Sequence, residues 1–350
     1  MYEATRNVLG LMSGTSLDGM DAALVRFKQG KNLEYELLEF HHFPYPSALK
    51  TLAEKTFFDR ELLPELDEKF ADWTIEVIQQ VQQRSLHSFE IVGTHGQTVF
   101  HDPSNKSTIQ AGNLPRIATA IGCTVVANFR VQDVLLGGQG APLVPFGDHK
   151  LFGNYEAALN LGGFANISIG NPLLKGGVLA AYDICPVNRI LNVFANELGH
   201  PYDEDGNFAR EGKIHSWVLD ELDSLPYYDL SAPKSLGSEW VEEVFLPKID
   251  YLDPKDALAT STAHISNMIM DAIGTRRTLV TGGGAFNKYL IQQLEMNGAN
   301  IHVPDKQTVE AKEALIFALL AHERILGNTN VLGETTGSGI HHSSGCIFQP

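Results

Sequence analysis

Leu11–Val25 reads LMSGTSLDGMDAALV, and about 150 residues later Glu156–Gly170 reads EAALNLGGFANISIG. Each is an apolar stretch interrupted by a glycine-containing turn and resumed as a second apolar stretch, the pattern of two strands joined by a short connection. In the first turn Gly14 and Gly19 bracket Thr15, Ser16 and Leu17, with Ser13 just outside, while Asp18, Met20 and Asp21 lie between or beside the strands. Such a turn offers backbone N–H groups and hydroxyls to a polyphosphate, with carboxylates placed to orient a Mg²⁺ hydration shell. The same residues also suit an ordinary Gly/Ser/Asp hairpin turn. There is no GKS/T phosphate loop and no GxGxxG opening a helix at this point. The restart at Glu156 suggests two related halves with a boundary near residue 150; the expected division is 1–150 plus 330–350, and 151–329.

Outward from the first turn, Asn7–Leu11, Met20–Phe27 and Leu33–Phe43 read as three strands of a meander. Leu63, Leu66, Phe70, Trp73, Val77 and Val81 recur at helical spacing and predict one long amphipathic helix. Ile91–Gly93 is a short strand running into Thr94-His95-Gly96-Gln97-Thr98; LPRIATAIG reads as a helix, TVVAN as a strand and VLLGGQGAPLVP as an irregular Gly/Pro loop. The second half continues with a strand into Asp183, a helix after Pro186 and a long helix over Pro254–Ile273. A strand then enters Thr281-Gly282-Gly283-Gly284-Ala285-Phe286-Asn287 and a helix, and a closing helix spans Thr308–Leu326.

The 350 residues suffice for about two domains, and 43% hydrophobic with 19% charged residues is an ordinary globular composition. A net charge of -16 repels phosphate backbones and anionic lipid, so neither nucleic acid nor a membrane is an expected partner. No apolar run approaches the roughly 18 residues of a membrane span, and MYEATRN is not followed by a signal-peptide core. A cytoplasmic location is the expectation. Cys123, Cys185 and Cys346 are far apart and lack CxxC spacing. The pairs His41-His42, His341-His342 and His101-Asp102 lack the spaced partners of a zinc site.

Two phosphate hairpins plus a Gly-Gly-Gly strand-to-helix turn for adenosine are the arrangement of the actin, hexokinase and heat-shock chaperone ATPase superfamily. Within it, GLMSGTSLDGMD, GTHGQTVFH, GGQGAPLVPFGD, LNLGGFANIS, PKSLGSEW and TGGGAFN, in this order over nearly the whole chain, resemble the anhydro-N-acetylmuramic acid kinases. That resemblance implies a two-domain α/β actin-like fold. Each domain would be a ribonuclease-H-like mixed sheet with flanking helices, the active site in the interdomain cleft. It implies a kinase that uses ATP, Mg²⁺ and water to convert 1,6-anhydro-N-acetylmuramic acid, a small amino sugar, into N-acetylmuramic acid 6-phosphate in cell-wall recycling. A homodimer is implied on the same ground.

By the resemblance, Gly14, Thr15, Ser16, Leu17, Asp18, Gly19, Met20 and Asp21 hold the ATP phosphates, with Asp18 or Asp21 reaching Mg²⁺ through water. Gly162 and Gly163 form the second phosphate loop, and Gly282, Gly283 and Gly284 the adenosine loop. The sugar falls to Thr94, His95, Gly96, Gln97, Arg130, Asp133, Gln139, Asn188 and Glu313. Amides and imidazole suit hydroxyls and the N-acetyl group, and an arginine fork suits the lactyl carboxylate. Asp183, at a strand end where α/β sheets place reactive groups, is the expected catalytic base. The family's loop often reads Asp-Thr-Gly-Pro-Gly-Asn; here Asp183, Pro186 and Asn188 match, whereas Ile184, Cys185 and Val187 do not. Loss of two glycines removes access to positive φ, so a differently seated loop is expected. The alternatives are a related kinase for another sugar and a nucleotide-binding pseudokinase or switch.

Overall fold

Val8, Leu9 and Leu11 before the first turn and Ala22, Ala23, Leu24, Val25 and Phe27 after it are all buried, so both strands are covered on two faces. The chain is described by a computed structural model covering all residues except 1–3, 15, 31–32, 171–177 and 233. In it β1 (Ala4–Ser13) and β2 (Gly19–Gln29) pair antiparallel, closing with Ser13 opposite Met20, and β3 (Leu33–Pro44) adds antiparallel to β2. α1 (Ser47–Thr56) and α2 (Leu63–Arg84) follow, α2 burying Leu66, Phe70, Trp73, Val77 and Val81 along the stripe read from the sequence. β4 (Ile91–Thr94) runs parallel to β1, and β5 (Gln97–Asp102) with β6 (Ser107–Ala111) forms a separate hairpin. α3 (Arg116–Ile121) leads to β7 (Thr124–Ala127), parallel to β4. The stretch expected as irregular loop instead carries α4 (Val131–Leu135) and the start of α5 (Val144–Leu151).

The second half repeats the pattern. β8 (Ala157–Leu161), β9 (Phe164–Gly170) and β10 (Val178–Pro186) form an antiparallel meander. Helices α6 (Asn188–Glu197), α7 (Asn207–Glu211), α8 (Ser216–Asp223), the single turn α9 (Ser238–Trp240) and α10 (Pro254–Ile273) come next. β11 (Thr278–Thr281), α11 (Lys288–Met296) and β12 (Ile301–His302) complete it, β11 lying parallel to both β8 and β12. The two sheets run β3-β2-β1-β4-β7 and β10-β9-β8-β11-β12, the first extended at its β7 edge. Numbered within each half, both are 3-2-1-4-5 with the same strand senses, the ribonuclease-H-like arrangement expected from the sequence.

The chain closes with α12 (Lys306–Ile325), α13 (Gly333–Thr336) and β13 (Cys346–Phe348), which pairs antiparallel with β7. Compact units comprise Met1–Leu151 with Ala311–Pro350, and Phe152–Glu310. The return to the first unit therefore begins at Ala311 rather than at 330, because α12 lies directly on the first sheet. A Cβ at Gly10 would stand 1.9 Å from the Ala314 carbonyl oxygen, and one at Gly93 2.4 Å from that of Phe317. Only glycine lets strand and helix backbones approach so closely. Among the described residues no helix is long and apolar enough to cross a membrane.

Candidate active site

In the first unit the β1–β2 turn is open to an anion. Among the described residues the N–H groups of Gly14, Ser16 and Asp18 have no hydrogen-bond partner, while that of Leu17 reaches the Gly14 carbonyl at 3.4 Å. Leu17 takes φ 52° and buries its side chain, which pins the turn from below. Ser16 Oγ donates to Asp18 Oδ1 at 2.8 Å, and the exposed Asp18 carboxylate borders the open N–H groups. Asp21 sits 2.8 Å from His42 Nδ1, and Gly19 is needed because a Cβ there would meet the His42 ring at 2.3 Å. Thr15 lies outside the described residues. No cluster of three His, Cys, Asp or Glu groups able to cage a metal exists among the described residues. Two carboxylates beside a phosphate-ready turn suit Mg²⁺, which keeps several waters and takes further ligands from phosphate.

Behind this turn lies a buried polar network. Ser13 Oγ and Tyr45 OH both donate to Gln97 Oε1, at 3.0 and 2.9 Å, and Thr94 Oγ1 accepts from Gly96 N at 3.3 Å. Arg130 Nε can only donate, so His95 Nε2, 2.9 Å away, accepts; the ring proton therefore sits on Nδ1 and is donated to the Gly96 carbonyl at 2.8 Å. Burial and the neighbouring guanidinium push the His95 pKa down to about 3, so the ring is neutral. Arg130 Nη1 donates to the Gly140 carbonyl at 2.7 Å, leaving Nη2 without a hydrogen-bond partner among the described residues. Burial lowers the Arg130 pKa to about 10, where it remains charged.

Several residues expected at the sugar are turned inward. Gln97 and Asp133 are each 0% exposed. Asp133 Oδ2 accepts from Gly140 N at 2.7 Å and Oδ1 from Thr336 Oγ1 at 2.6 Å, so its carboxylate braces the Gly138-Gln139-Gly140 turn. Thr94 and His95 are likewise buried. The groups that present polar atoms outward are Arg130, half-buried Glu313 and exposed Gln139. Burial pushes the Glu313 carboxyl above the usual carboxylate range, against the pull of Lys312 and Arg130. Lys312 forms a buried ion pair with Asp148 at 3.0 Å. The contacts of Tyr45, Lys312 and Thr336 with Gln97, Asp148 and Asp133 were not legible in the sequence, although Asp148 closes the quoted GGQGAPLVPFGD stretch.

In the second unit three separate motifs meet. The Gly163 carbonyl accepts from Val187 N at 2.8 Å and Arg189 N at 3.0 Å, and that of Gly162 from Asn188 N at 3.2 Å, so the hairpin turn caps α6. Asn188 Nδ2 reaches the Leu161 carbonyl at 3.3 Å. A Cβ on Gly282 would fall 2.8 Å from the Leu161 carbonyl oxygen, one on Gly284 2.8 Å from Leu161 Cβ, and one on Gly283 no closer than 3.8 Å, to Asn188 Nδ2. Gly163, Gly283 and Gly284 keep N–H groups without partners among the described residues. Asn188, expected at the sugar, is placed beside these glycines.

Asp183 lies on β10 opposite Asn166, and Cys185 lies opposite Ala165, so Ile184 is the extra residue of a β-bulge. Ile184, Cys185 and Val187 are buried in the second core and none has positive φ. The expected loop is thus a strand continuing to Pro186, and the missing glycines are replaced by packing. Asp183 Oδ2 accepts from Leu236 N at 3.0 Å, and Oδ1 has no partner among the described residues. Burial raises the Asp183 pKa while the Leu236 N–H opposes that rise. The half-buried carboxylate therefore keeps one oxygen for a proton.

Two ribonuclease-H-like units, one with an anion-ready turn and two carboxylates, the other with paired glycine turns and a half-buried aspartate, define a nucleotide-dependent phosphotransferase of the sugar-kinase type. The chain belongs to the anhydro-N-acetylmuramic acid kinase family, whose model matches residues 6–350. It is similar to the anhydro-N-acetylmuramic acid kinase of Vibrio cholerae, 36% identical with 98% of each chain covered. That of Hydrogenovibrio crunogenus is 34% identical, again over 98% of each chain. That of Caldanaerobacter subterraneus subsp. tengcongensis is 34% identical over 95% of this chain and 94% of its own.

Proposed function

We propose that this kinase transfers the γ-phosphoryl group of ATP to O6 of 1,6-anhydro-N-acetylmuramic acid while water opens the anhydro bridge, giving N-acetylmuramic acid 6-phosphate and ADP. The observation that carries the reading is Asp183, a half-buried carboxylate fixed through one oxygen and offering the other. Its Oδ1 takes a proton from water, whose oxygen bonds to C1 as the C1–O6 bond breaks. O6 then bonds to the γ-phosphorus, and the bond to the β,γ-bridging oxygen breaks to release ADP. The N–H groups of Gly14, Ser16 and Asp18 receive phosphate oxygens, and the Gly282–Gly284 turn receives the adenosine. Asp18 and Asp21 would hold Mg²⁺ through water, and that ion neutralises charge on the β- and γ-oxygens when bound. Arg130 Nη2 suits the lactyl carboxylate, with Gln139 and Glu313 for sugar hydroxyls. The acidic chain works in the cytoplasm on a sugar released during cell-wall turnover, as a homodimer.

Asp183→Asn keeps the Leu236 bond and removes the base. Sugar-dependent ADP release should fall about 10²- to 10⁴-fold with ATP binding nearly intact. Full activity in this variant would move the base elsewhere, with Glu313 next in line. A panel of anhydro and ordinary amino sugars run in the same assay tests the substrate, and equal turnover with an unbridged sugar would reject it.

A further inference from the structure

The quoted PKSLGSEW motif supplies the Leu236 N–H, and among the described residues the hydrogen bonds that fix Asp183 from outside its sheet come from Tyr227, Lys234 and Leu236. Asp183 N donates to the Lys234 carbonyl at 3.1 Å, Tyr227 OH donates to the Asp183 carbonyl at 2.6 Å, and Leu236 N holds Oδ2. A bulge leaves the local strand under-determined, so these bonds decide where the carboxylate points.

That strap is itself closed by one side chain. Lys234 Nζ donates to the carbonyls of Tyr227 and Tyr228, at 3.2 and 3.1 Å, and lies 4.7 Å from the Tyr227 ring centroid and 5.7 Å from that of Tyr182. The ammonium is thus met by two carbonyls and two aromatic faces. Tyr228 OH carries the anchorage onward to His264 Nε2 at 2.8 Å, and His264 Nδ1 bonds Asp223, which also accepts from Asn267 Nδ2 at 2.8 Å. The strap is therefore tied to α8 and α10.

We infer that Lys234 is a positioning residue for the catalytic step: by clipping the strap at Tyr227 and Tyr228 it holds the Tyr227 hydroxyl and the Leu236 N–H on Asp183, and so keeps Oδ1 aimed at the water. This rests on Asp183 being the base. Without the ammonium, the strap loosens and Oδ2 loses its N–H donor. A carboxylate that loses a hydrogen bond to its charged form becomes harder to ionise, so the acid limb of the kcat profile moves to higher pH. Among the described residues the other titratable groups that interact with Asp183 are Tyr227 and Cys185, both pushed up by burial and neutral through the assay range.

The test compares Lys234→Met, Lys234→Arg and Tyr227→Phe with wild type, reading nucleotide Kd, Tm and kcat against pH. Lys234→Met should lose about 10- to 100-fold in kcat and move the acid limb up by about half a unit to one unit, with nucleotide Kd unchanged. Tyr227→Phe should move it the same way, and Lys234→Arg should recover most of the wild-type profile. An acid limb and kcat unmoved in Lys234→Met and Tyr227→Phe, even with lowered Tm, would overturn the inference. If Lys234→Met fails to fold, Tyr227→Phe decides alone, since it removes one hydroxyl. Wild type that forms no ADP in response to the anhydro sugar would defeat the functional reading itself, an outcome separate from the behaviour of the variants.

Discussion

The three glycines after β11 differ in what a methyl group would meet, and the difference separates folding from binding. At Gly282 φ is 83° and a Cβ would lie 2.6 Å from Asn160 Oδ1; at Gly284 it would lie 2.8 Å from Leu161 Cβ and 3.0 Å from the Leu161 carbonyl oxygen. At exposed Gly283 the nearest atom is Asn188 Nδ2 at 3.8 Å, an ordinary contact, and φ is not positive. Packing therefore demands glycine at 282 and 284 but not at 283. Gly283→Ala should leave stability unchanged or raise it by about 0.4–1 kcal/mol through the unfolded chain. If adenosine lies on this face, the added methyl overpacks the contact by about 1–3 kcal/mol, which is roughly 5- to 150-fold in Kd. Calorimetric titration with ATP, paired with chemical denaturation, reads both quantities. Gly284→Ala serves as the contrast, losing stability outright. Wild-type ATP affinity in a Gly283→Ala protein of wild-type stability would refute adenosine at this turn.

Asp18→Asn retains an oxygen for the Ser16 hydroxyl, so the turn should persist while the Mg²⁺ concentration for half-maximal turnover rises; an unchanged Mg²⁺ dependence would remove Asp18 from the phosphate site. His95 is neutral in the fold with its pKa near 3 against about 6.5 unfolded, so the unfolded chain binds the extra proton between those values. Unfolding free energy should accordingly fall as pH drops below about 6.5, by up to about 1.4 kcal/mol per unit from this group, and His95→Gln should flatten the fall. Denaturation at a series of pH values checks it, and an equally steep slope in the variant would assign the effect elsewhere, His264 and His322 being further buried histidines whose pKa burial lowers.

What was legible in the sequence was local. The meander, the stripe Leu66–Val81 and the restart at Glu156 are periodic or contiguous signals, and each forms the expected element. The Gly-Gly and Gly-Gly-Gly turns were readable as contiguous glycine clusters at strand ends, and close packing against Leu161 requires glycine at 282 and 284. α5 was not, since it contains Pro145 and Gly147; Gly147 is kept because a Cβ would meet Ile316 at 2.5 Å, so tertiary packing overrides helix propensity. The inward orientation of Asp133 was not readable, for a similar reason. Thr336, which bonds Asp133, is 203 residues from it, and no spacing rule reaches that far. Asp183 was readable as a carboxylate on a strand, whereas the bulge beside it depends on its register against β9 and the strap that holds it on contacts from Tyr227, Lys234 and Leu236.

The most direct test is the fate of water oxygen. The reaction is run in ¹⁸O-water with ATP and 1,6-anhydro-N-acetylmuramic acid and quenched early. Preformed N-acetylmuramic acid 6-phosphate, incubated in parallel, corrects for exchange at the reducing carbon. Water attack at C1 with transfer to O6 predicts label at C1 above that control, none in the phosphoryl group of the sugar and no labelled inorganic phosphate. Label in inorganic phosphate, with the anhydro bridge intact, would show that water attacks ATP instead and would contradict the account.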